Sequence, residues 1–401
     1  MNGQKRNGQK RNDRPTVALT EISRIERAAA FGADEQVRRL LDVGRRGLSS
    51  AYLRKSGEFA QTVRGLARHE EVSARPEGSN LRYAAIAALG VARLGVDAQI
   101  EVLAGKSATE LAATVEGLAK EHTDPGAVAL AAWAAAEVRG TFAAPLLARL
   151  DSMLASGDPL PTVDVSWMLT AATVAHRLGG TTAVAERATE RLLAAQGARG
   201  IFPHWLPAQA QSRWRGHVGS FADQVYPVQA LARSFAVTGD PGALEAAETT
   251  AQRLCELQGP AGQWWWHYDI RTGDVVEGFP VYSVHQHAMA PMVLFDLAEA
   301  GGTDRTAEIV AGLEWIETHP GVVEELVSER LGVIWRKVGR REPRKAARAL
   351  AAMATSLRPG LRMRGLNLLL PPVKVDYECR PYELGWLLYA WLPPRRVVGD
   401  E

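Results

Sequence analysis

The sequence is poor in cysteine and has no long apolar run, and each shortage excludes a class of protein. Two cysteines, Cys255 and Cys379, occur among 401 residues, which is too few for a disulfide framework or a thiolate zinc cage. Such sparse use suits a reducing compartment, so we predict a cytoplasmic protein. The longest apolar candidate, 126–138, is shorter than the ~20 residues of a membrane span.

Nucleotide-binding, serine-hydrolase and zinc-protease signatures are also missing. The chain contains no Gly-x-Gly-x-x-Gly, P-loop, Gly-x-Ser-x-Gly or His-Glu-x-x-His motif. Its net charge of +2 does not indicate nucleic-acid binding, and no zinc-finger, helix-turn-helix or RNA-binding signature is present. We therefore expect no cofactor, no metal and no nucleic-acid partner.

What the sequence does contain is an apolar, small-residue-rich segment with helical spacing that recurs six times. Glycines such as Gly95, Gly179, Gly239 and Gly301 follow four of these segments as expected helix stops. Amphipathic stretches such as 182–197 and 242–258 lie between them and suit an outer layer. The pattern predicts an all-α fold, an (α/α)6 toroid of helical hairpins. The six segments begin near Asn80, Asp124, Thr162, Ser220, Val281 and Arg380.

Stacked hairpins share one continuous core, so we predict a single domain over 16–401. The first fifteen residues, MNGQKRNGQKRNDRP, have no apolar stretch, which predicts a disordered basic tail over 1–15 rather than a secretory signal. Residues 16–60 are expected to form an opening helical pair with a break around Gly44 and Gly47.

The segment 321–372 interrupts the hairpin pattern and is interpreted as a basic helical insertion. Glu342 is its one acid between 336 and 364. Two interpretations stay open: a solvated basic face, or peripheral contact with an anionic membrane through 336–364. The basic residues are Arg336, Lys337, Arg340, Arg341, Arg344, Lys345, Arg348, Arg358, Arg362 and Arg364.

Two of the outer stretches end in a Gln-x-x-x-Gly-x-aromatic turn. One turn runs from Gln258 to Trp264, and a weaker copy runs from Gln196 to Phe202. In such a turn the glutamine can bond free backbone groups, glycine permits the bend, and the aromatic ring packs between helices. The copies align at an offset of about sixty residues, which places Asp223 opposite His285.

The stretch from Gln258 to Trp264 resembles the Gln-Trp repeats of squalene-cyclase-type terpenoid cyclases and protein prenyltransferases. The run GQWWWHYD, followed by a loop and the segment AMAPMVLFDLAEAGG, is similar to six-hairpin glycosidases of the unsaturated-glucuronyl-hydrolase kind. Both resemblances imply an α/α toroid whose site lies in the bowl. They cover about 80–320 in layout and two short turns in sequence.

The chemistry of these families does not carry over residue by residue. The Asp-x-Asp-Asp acid motif of the cyclases has no counterpart, since Asp164 stands without a matching cluster. The prenyltransferase zinc site needs an Asp-x-Cys pair, whereas Asp376 and Cys379 have the wrong spacing. We also find no match to the glycosidase acid.

Geometry alone places the candidate site. If the inner helices run parallel, their N-terminal ends meet at one mouth, where free N–H groups and helix dipoles favour anions. The loops 201–219 and 263–284 lead to the same mouth and are rich in aromatic residues and histidine, a composition suited to a sugar. The polar residues at these helix ends are Asn80, Asp164, Asp223, His285, Gln286, His287, Glu378 and Arg380.

Within this set we predict Asp223, Asp269, Glu277 and His285 as catalytic residues. Paired carboxylates would serve glycosyl transfer, whereas a histidine or tyrosine beside a substrate carboxylate would serve a lyase or epimerase. Arginines could hold that carboxylate bidentately. The predicted substrate-binding residues are His204, Trp205, Arg213, Arg215, Tyr226, Trp264, Trp266, His267, Tyr282, Gln286, His287 and Arg380.

Three functions remain open at this point. The first is a toroid enzyme of carbohydrate metabolism that acts on a glycan or uronic-acid-like substrate as a hydrolase, lyase or epimerase. The second is a terpenoid-cyclase-like or prenyltransferase-like protein, which predicts a deep aromatic bowl with few charges. The third is a non-catalytic helical-repeat scaffold, which predicts polar helix ends plugged by salt bridges. We favour the first, because the density of ionisable residues in 204–287 is too high for an apolar pocket.

Overall fold

A closed ring of six inner helices forms the centre of the molecule. The computed structural model describes residues 22–68, 71–180, 183–320, 322, 324–343, 345–361, 363 and 365–395. The predicted tail over 1–15 lies outside the described residues. None of the described helices is long and apolar enough to cross a membrane.

The described residues form sixteen α-helices and one π-helix, together with a 3-10 turn at Ala208–Ala210. The π-helix, His285–Met289, continues directly into α12. The α-helices are α1 (Arg24–Ala29), α2 (Asp34–Ala51), α3 (Leu81–Val91), α4 (Val96–Val102), α5 (Ala108–Ala119), α6 (Pro125–Arg139), α7 (Ala144–Ala155), α8 (Thr162–His176), α9 (Val184–Ala195), α10 (Ala222–Thr238), α11 (Pro241–Glu256), α12 (Ala290–Glu299), α13 (Thr306–Thr318), α14 (Ala346–Leu357), α15 (Leu366–Leu369) and α16 (Pro381–Trp391).

Fifteen short strands are present in the described residues and form small antiparallel sheets of two or three strands. Several of them lead directly into inner helices. The strands are β1 (Tyr52–Leu53), β2 (Glu58–Phe59), β3 (Thr62–Arg68), β4 (Glu71–Glu77), β5 (Leu160–Pro161), β6 (Trp205–Leu206), β7 (Val218–Ser220), β8 (His267–Asp269), β9 (Val275–Glu277), β10 (Val281–Tyr282), β11 (Val327–Ser328), β12 (Val333–Ile334), β13 (Lys337–Gly339), β14 (Lys374–Asp376) and β15 (Glu378–Cys379).

The inner ring consists of α3, α6, α8, α10, α12 with its π-helix, and α16, and α16 packs back on α3 to close it. The remaining long helices, α2, α5, α7, α9, α11 and α13, pack around the ring. The inner helices are buried on almost all sides and the outer ones on one face. This is the predicted (α/α)6 toroid, built from the segments that the sequence pattern identifies.

Glycine allows the ring to close. A side chain on Gly90 of α3 would lie 2.2 Å from the carbonyl oxygen of Gly385 on α16. The two helices therefore approach at backbone distance at the point where the first and last inner helices meet.

The Gln-Gly-aromatic turns have the predicted structure. Gln258 donates through Nε2 to the carbonyl oxygens of Gly262 and Glu308, at 2.7 and 2.9 Å. Gln196 donates through Nε2 to the carbonyl oxygen of Ala246 and to the hydroxyl of Thr250, both at 2.8 Å. The ring of Trp264 is buried in one turn and that of Phe202 in the other.

The repeat extends into the inner helices. Gln286 accepts a hydrogen bond from the backbone N–H of Trp264, and Gln224 accepts one from the backbone N–H of Phe202. Each glutamine thus ties its turn to the first turn of the inner helix that follows. The two copies are related by the same sequence offset throughout, which confirms the internal repeat.

Three local predictions are wrong. The helix α2 runs unbroken through Gly44 and Gly47, and a side chain on Gly47 would contact Leu384 of α16, so these glycines permit close packing. Gly95 does not stop α3 but precedes α4, with Ala92 ending α3. The segment 321–372 is not purely helical, because β11, β12 and β13 lie in it beside α14 and α15.

Candidate active site

The N-terminal ends of the inner helices meet at one opening of the ring, which we call the mouth. The N-cap residue Arg380 of α16 donates to the hydroxyl of Tyr83 in α3 at 3.0 Å. Arg82, in the first turn of α3, ion-pairs with Asp124 at the start of α6 and with Asp164 in α8. Such contacts require parallel inner helices, as predicted.

The central pair at the mouth is His204 and Asp223. Both carboxylate oxygens of Asp223 lie 3.0 Å from Nδ1 of His204, and Ser220 donates to the same carboxylate through its N–H and its hydroxyl. Asp223 is fully buried, whereas the His204 side chain is 43% exposed. The negative charge of Asp223 raises the pKa of His204. The Nε2 atom of His204 has no hydrogen-bond partner among the described residues.

Asp223 therefore has two roles. It completes a capping arrangement at the start of α10, since its backbone N–H bonds the hydroxyl of Ser220. It also fixes the orientation of the His204 ring by bonding Nδ1, which leaves Nε2 free for another partner. The arrangement can accept or donate one proton at Nε2.

A second titratable group, which sequence reasoning missed, lies beneath the mouth. Glu383 occupies the first turn of α16 and is fully buried, and neither carboxylate oxygen has a hydrogen-bond partner in the described residues. Burial raises the pKa of Glu383 to about 7, although Arg336 and Arg380 act in the opposite direction. Its Oε1 lies 3.5 Å from Nε of Arg336, a distance that gives charge contact without an aligned hydrogen bond.

Three arginines, Arg336, Arg348 and Arg380, form what we call the arginine cluster. The guanidinium of Arg336 lies 5.0 Å above the ring of Tyr282, and that of Arg348 lies 4.4 Å above the ring of Trp266. Arg336 and Arg380 also approach Glu378, at 3.7 and 3.6 Å. Aromatic stacking and carboxylates hold the positive charges in place, a setting suited to an anionic ligand.

The basic segment 336–364 thus points partly inward. Arg336 and Arg348 belong to the cluster, and Arg340 forms a buried ion pair with Glu277 at 2.9 Å. This corrects the interpretation of the segment as a wholly solvated basic face. The sequence pattern could not separate Arg336 and Arg340 from the exposed cations, because β13, which lies between them, pairs with the distant strands β10 and β14.

Several predicted residues lie at the mouth with His204. Tyr282 and the part-buried Trp266 support the arginine cluster, and Trp205 meets the His204 ring edge-on. His267 stacks on Trp266 at 3.9 Å, and burial together with Arg215 holds its pKa well below the ordinary value. Arg213 and Arg215 are exposed on the loop before β7.

Other predicted residues occupy the helix walls. Tyr226 accepts a hydrogen bond from Trp386. The side-chain amide of Gln286 accepts from the backbone N–H of Trp264 and donates to the carbonyl oxygen of Tyr282. Burial holds the pKa of His285 well below its ordinary value and lowers that of His287 to about 3, so both rings are neutral.

The structure does not bring Asp269 or Glu277 into contact with Asp223. Asp269 is ion-paired with Arg271 at 2.7 Å, and Glu277 is held by Arg340. Among the described residues, no group of three or more His, Cys, Asp or Glu side chains is arranged to hold a metal ion. Two solvent-open surface grooves, one beside Arg253 and one beside His319, include none of these mouth residues.

Comparison with known proteins gives fold relatives and no sequence relatives. No protein-family model and no curated sequence matches the chain. A sugar epimerase from a ruminal bacterium superposes with a TM-score of 0.54 at 10% identity, over 82% of this chain and 99% of that one. A variant of an unsaturated glucuronyl hydrolase from Streptococcus agalactiae gives 0.53 at 11% identity, over 93% and 94%.

A possible GH105 family member from Klebsiella pneumoniae also gives a TM-score of 0.53, at 9% identity, over 90% of this chain and 93% of that one. The fold is that of the six-hairpin toroids. At such low identity the likeness establishes architecture alone. The mouth itself differs from the isoprenoid expectation, because charged side chains line it. The scaffold hypothesis predicts helix ends plugged by salt bridges, and the ion pairs of Arg82 with Asp124 and Asp164 meet that expectation in part.

Proposed function

We propose that this protein is a toroid enzyme that acts on a glycan or uronic-acid-like sugar by general acid and base chemistry at the mouth. One observation carries the proposal: a buried Asp223 bonds Nδ1 of the partly exposed His204, whose Nε2 has no hydrogen-bond partner among the described residues. The similar structures named as a sugar epimerase and a glucuronyl hydrolase support a sugar substrate.

Each group has a definite part in the proposed reaction. His204 takes or returns a proton at Nε2, and Asp223 stabilises the charge that the ring acquires. The arginine cluster binds an anionic group of the sugar, and Trp266 and Tyr282 hold its arginines in place by stacking. Glu383 holds a second proton beneath the arginines and can release it near neutral pH.

Among the three reaction types we favour proton transfer of the epimerase or lyase type. Hydrolysis needs two carboxylates that flank the scissile bond, whereas Asp124 and Asp164 share Arg82 and Asp223 is engaged by His204. Asp269 and Glu277, which the sequence suggests as further catalytic carboxylates, remain predictions.

We also propose a cytoplasmic location, which the free cysteines Cys255 and Cys379 support.

The test uses uronate-terminated and neutral disaccharides incubated with the protein in deuterated water and followed by NMR. For an epimerase the proposal expects deuterium at a carbon beside the carboxylate or carbonyl of an anionic sugar, and for a lyase it expects a new carbon–carbon double bond at that carbon. His204→Gln should reduce either reaction by about 10²–10⁴-fold. The matched control is His176→Gln, which removes an exposed histidine at the other end of an inner helix.

Three outcomes distinguish the possibilities. Exchange or double-bond formation that His204→Gln abolishes and His176→Gln preserves supports the proposal. Release of saturated sugars, with neither carbon-bound deuterium nor a new carbon–carbon double bond, would replace it with hydrolysis. No reaction and no binding with any of the sugars would overturn it and favour the scaffold hypothesis.

A further inference from the structure

The helix α14 buries small side chains and exposes its large apolar ones. Its buried face carries the small residues Ala347, Ala351 and Thr355, whereas Leu350, Met353 and Leu357 are exposed. Globular proteins normally turn large apolar side chains inward and leave small or polar ones outside. Packing within this chain therefore does not account for the leucine and methionine side chains on the exposed face of α14.

The exposed apolar surface continues beyond α14. Leu357, Leu368 and Leu369 are 74%, 88% and 80% exposed. Seven of the fourteen exposed large hydrophobic side chains in the described residues lie within 350–369, so the exposure is concentrated in one stretch of the chain. We call it the leucine patch; its members are Leu350, Met353, Leu357, Leu361, Met363, Leu368 and Leu369.

Unpaired positive charge lies within and beside the leucine patch in the sequence. Arg341, Lys345, Arg358 and Lys374 are exposed, and none of them forms an ion pair with another described residue. The sequence has no acidic residue from 343 to 375. The patch therefore combines leucine and methionine with cations and lacks compensating carboxylates.

The inner side of α14 is fixed to the wall of the mouth. The hydroxyl of Thr355 lies 2.9 Å from Nε2 of His217, and Arg271 donates to the carbonyl of Thr355 at 2.7 Å. Arg348, on the same helix, belongs to the arginine cluster and stacks on Trp266. The leucine patch thus lies on the outer side of an element that borders the mouth.

We propose that the leucine patch docks on an anionic lipid surface, an interaction that goes beyond the proposed sugar chemistry. Large apolar side chains enter the boundary between headgroups and acyl chains, and the flanking cations are attracted to negative headgroups. A second copy of this chain fits less well, because a symmetric contact would bring the cations of one copy against those of the other. Docking through this face places the mouth beside the lipid surface.

The test is co-sedimentation of the full-length protein with vesicles of equal parts phosphatidylserine and phosphatidylcholine, compared with pure phosphatidylcholine. The proposal expects binding to the mixed vesicles that weakens with salt. Leu368→Ser with Leu369→Ser should weaken it about tenfold or more. Lys345→Glu with Arg358→Glu should weaken it at least about fivefold per reversed charge.

The matched control is Val96→Ser with Ile100→Ser, two exposed apolar residues on α4, which should leave vesicle binding unchanged. The basic residues of 1–15 are present in every variant, so differences in vesicle binding between variants arise from the leucine patch and its cations. Absence of binding to the mixed vesicles, or binding that both patch variants retain, would overturn the proposal. A dimer in sedimentation velocity that Leu368→Ser with Leu369→Ser dissociates would overturn it in favour of a second copy.

Discussion

At the scale of single residues, the mouth contains two groups whose proton affinities rise for different reasons. His204 gains a charged partner in Asp223, which stabilises the protonated ring. Glu383 loses water on burial, which penalises its ionised form more than the nearby Arg336 and Arg380 favour it. Both shifts favour a bound proton near neutral pH, where proton-transfer catalysis operates best.

The first prediction concerns the His204 ring. Asp223→Asn removes the charge that raises its pKa, so the midpoint of the ring titration should fall toward 6.5. Because the pKa is raised in the folded state, the pair stabilises the fold fully below the ordinary pKa and loses this effect as pH rises through the folded value. Asp223→Asn should therefore lower the melting temperature more at pH 5 than at pH 9.

NMR titration of the histidine ring protons, combined with thermal denaturation at both pH values, checks this prediction. His176 serves as the internal reference, since it is exposed and distant from Asp223 in sequence. An unchanged His204 midpoint in the variant would show that Asp223 does not set the proton affinity of the ring.

The second prediction concerns Glu383→Gln. The pKa of about 7 exceeds the ordinary 4.5, so folding is penalised as pH rises above the ordinary value and most fully above about 7. The difference corresponds to about 3 kcal/mol. Glutamine keeps the shape without the charge, so Glu383→Gln should raise the free energy of unfolding by up to about 3 kcal/mol at pH 8 and change it little at pH 4.5.

Urea denaturation at the two pH values measures this difference directly. Glu378→Gln is the comparison, because Glu378 is part-exposed and paired with Arg336 and Arg380. A loss of stability in Glu383→Gln at pH 8 would mean that Glu383 is ionised and held by the arginines instead.

Some residues of the site could be found from the sequence, because they lie at or just before the start of an inner helix, and others could not. Asp223 and His204 lie near the start of an inner helix and in the loop before it, so the pattern of the inner helices finds both. Glu383 is also in a first helical turn, and a search of all six first turns for acids would have found it. Arg336 and Arg348 reach the mouth from a segment whose folding depends on distant pairing, and no local signal reveals that.

At the scale of elements, helix packing was predictable and strand pairing was not. The inner helices follow from a run of small apolar residues with helical spacing, a strong and local signal. The strands are two or three residues long in most cases, such as β5 and β15. Their existence depends on a partner elsewhere in the chain, since so short a segment has no periodicity of its own.

The third prediction tests the turn that ends α11. Gly262 has a φ of +83°, and a side chain there would lie 1.9 Å from the carbonyl oxygen of Ala311. Gly239 has a φ of +72° and nothing within 4 Å of the same position. Both alanine variants bear the backbone strain of about 1–2 kcal/mol, and Gly262→Ala should lose about 1–3 kcal/mol more because its neighbours must move.

Chemical denaturation of Gly262→Ala and Gly239→Ala gives the comparison, with Gly239→Ala as the control for strain alone. Equal losses in the two variants would mean that the turn can shift away from Ala311, and that its close packing on α13 contributes little to stability.

At the scale of the whole molecule, the ring has two chemically different ends. Opposite the mouth, Arg233 of α10 ion-pairs with Asp296 of α12 at 2.7 Å and donates to the hydroxyl of Tyr389 on α16. Glu137 of α6 accepts from Tyr389 and pairs with Arg93. These groups satisfy one another, whereas Glu383 and His204 at the mouth retain unused hydrogen-bonding atoms. The ring thus has a network of mutually paired charges at one end and the partly unpaired groups Glu383 and His204 at the other.

The last prediction follows from this network. Burial raises the pKa of Asp296, but Arg233 and Arg24 outweigh it and hold the pKa well below the ordinary value. Because the pKa is lowered in the folded state, the stabilisation is present above the ordinary value of 3.8 and is lost as pH falls below it. Asp296→Asn leaves buried arginines without this partner and should cost about 3–5 kcal/mol at pH 7.

Calorimetry of Asp296→Asn between pH 7 and pH 2 tests the role of the network in holding the ring together. The wild type should lose melting temperature steeply below pH 4, and the variant should show a flatter dependence from a lower starting value. Glu245→Gln, at an exposed position on α11, is the control and should follow the wild type. Parallel pH profiles for Asp296→Asn and the wild type would mean that Asp296 does not supply the acid sensitivity, and that the inner helices hold together by apolar packing alone.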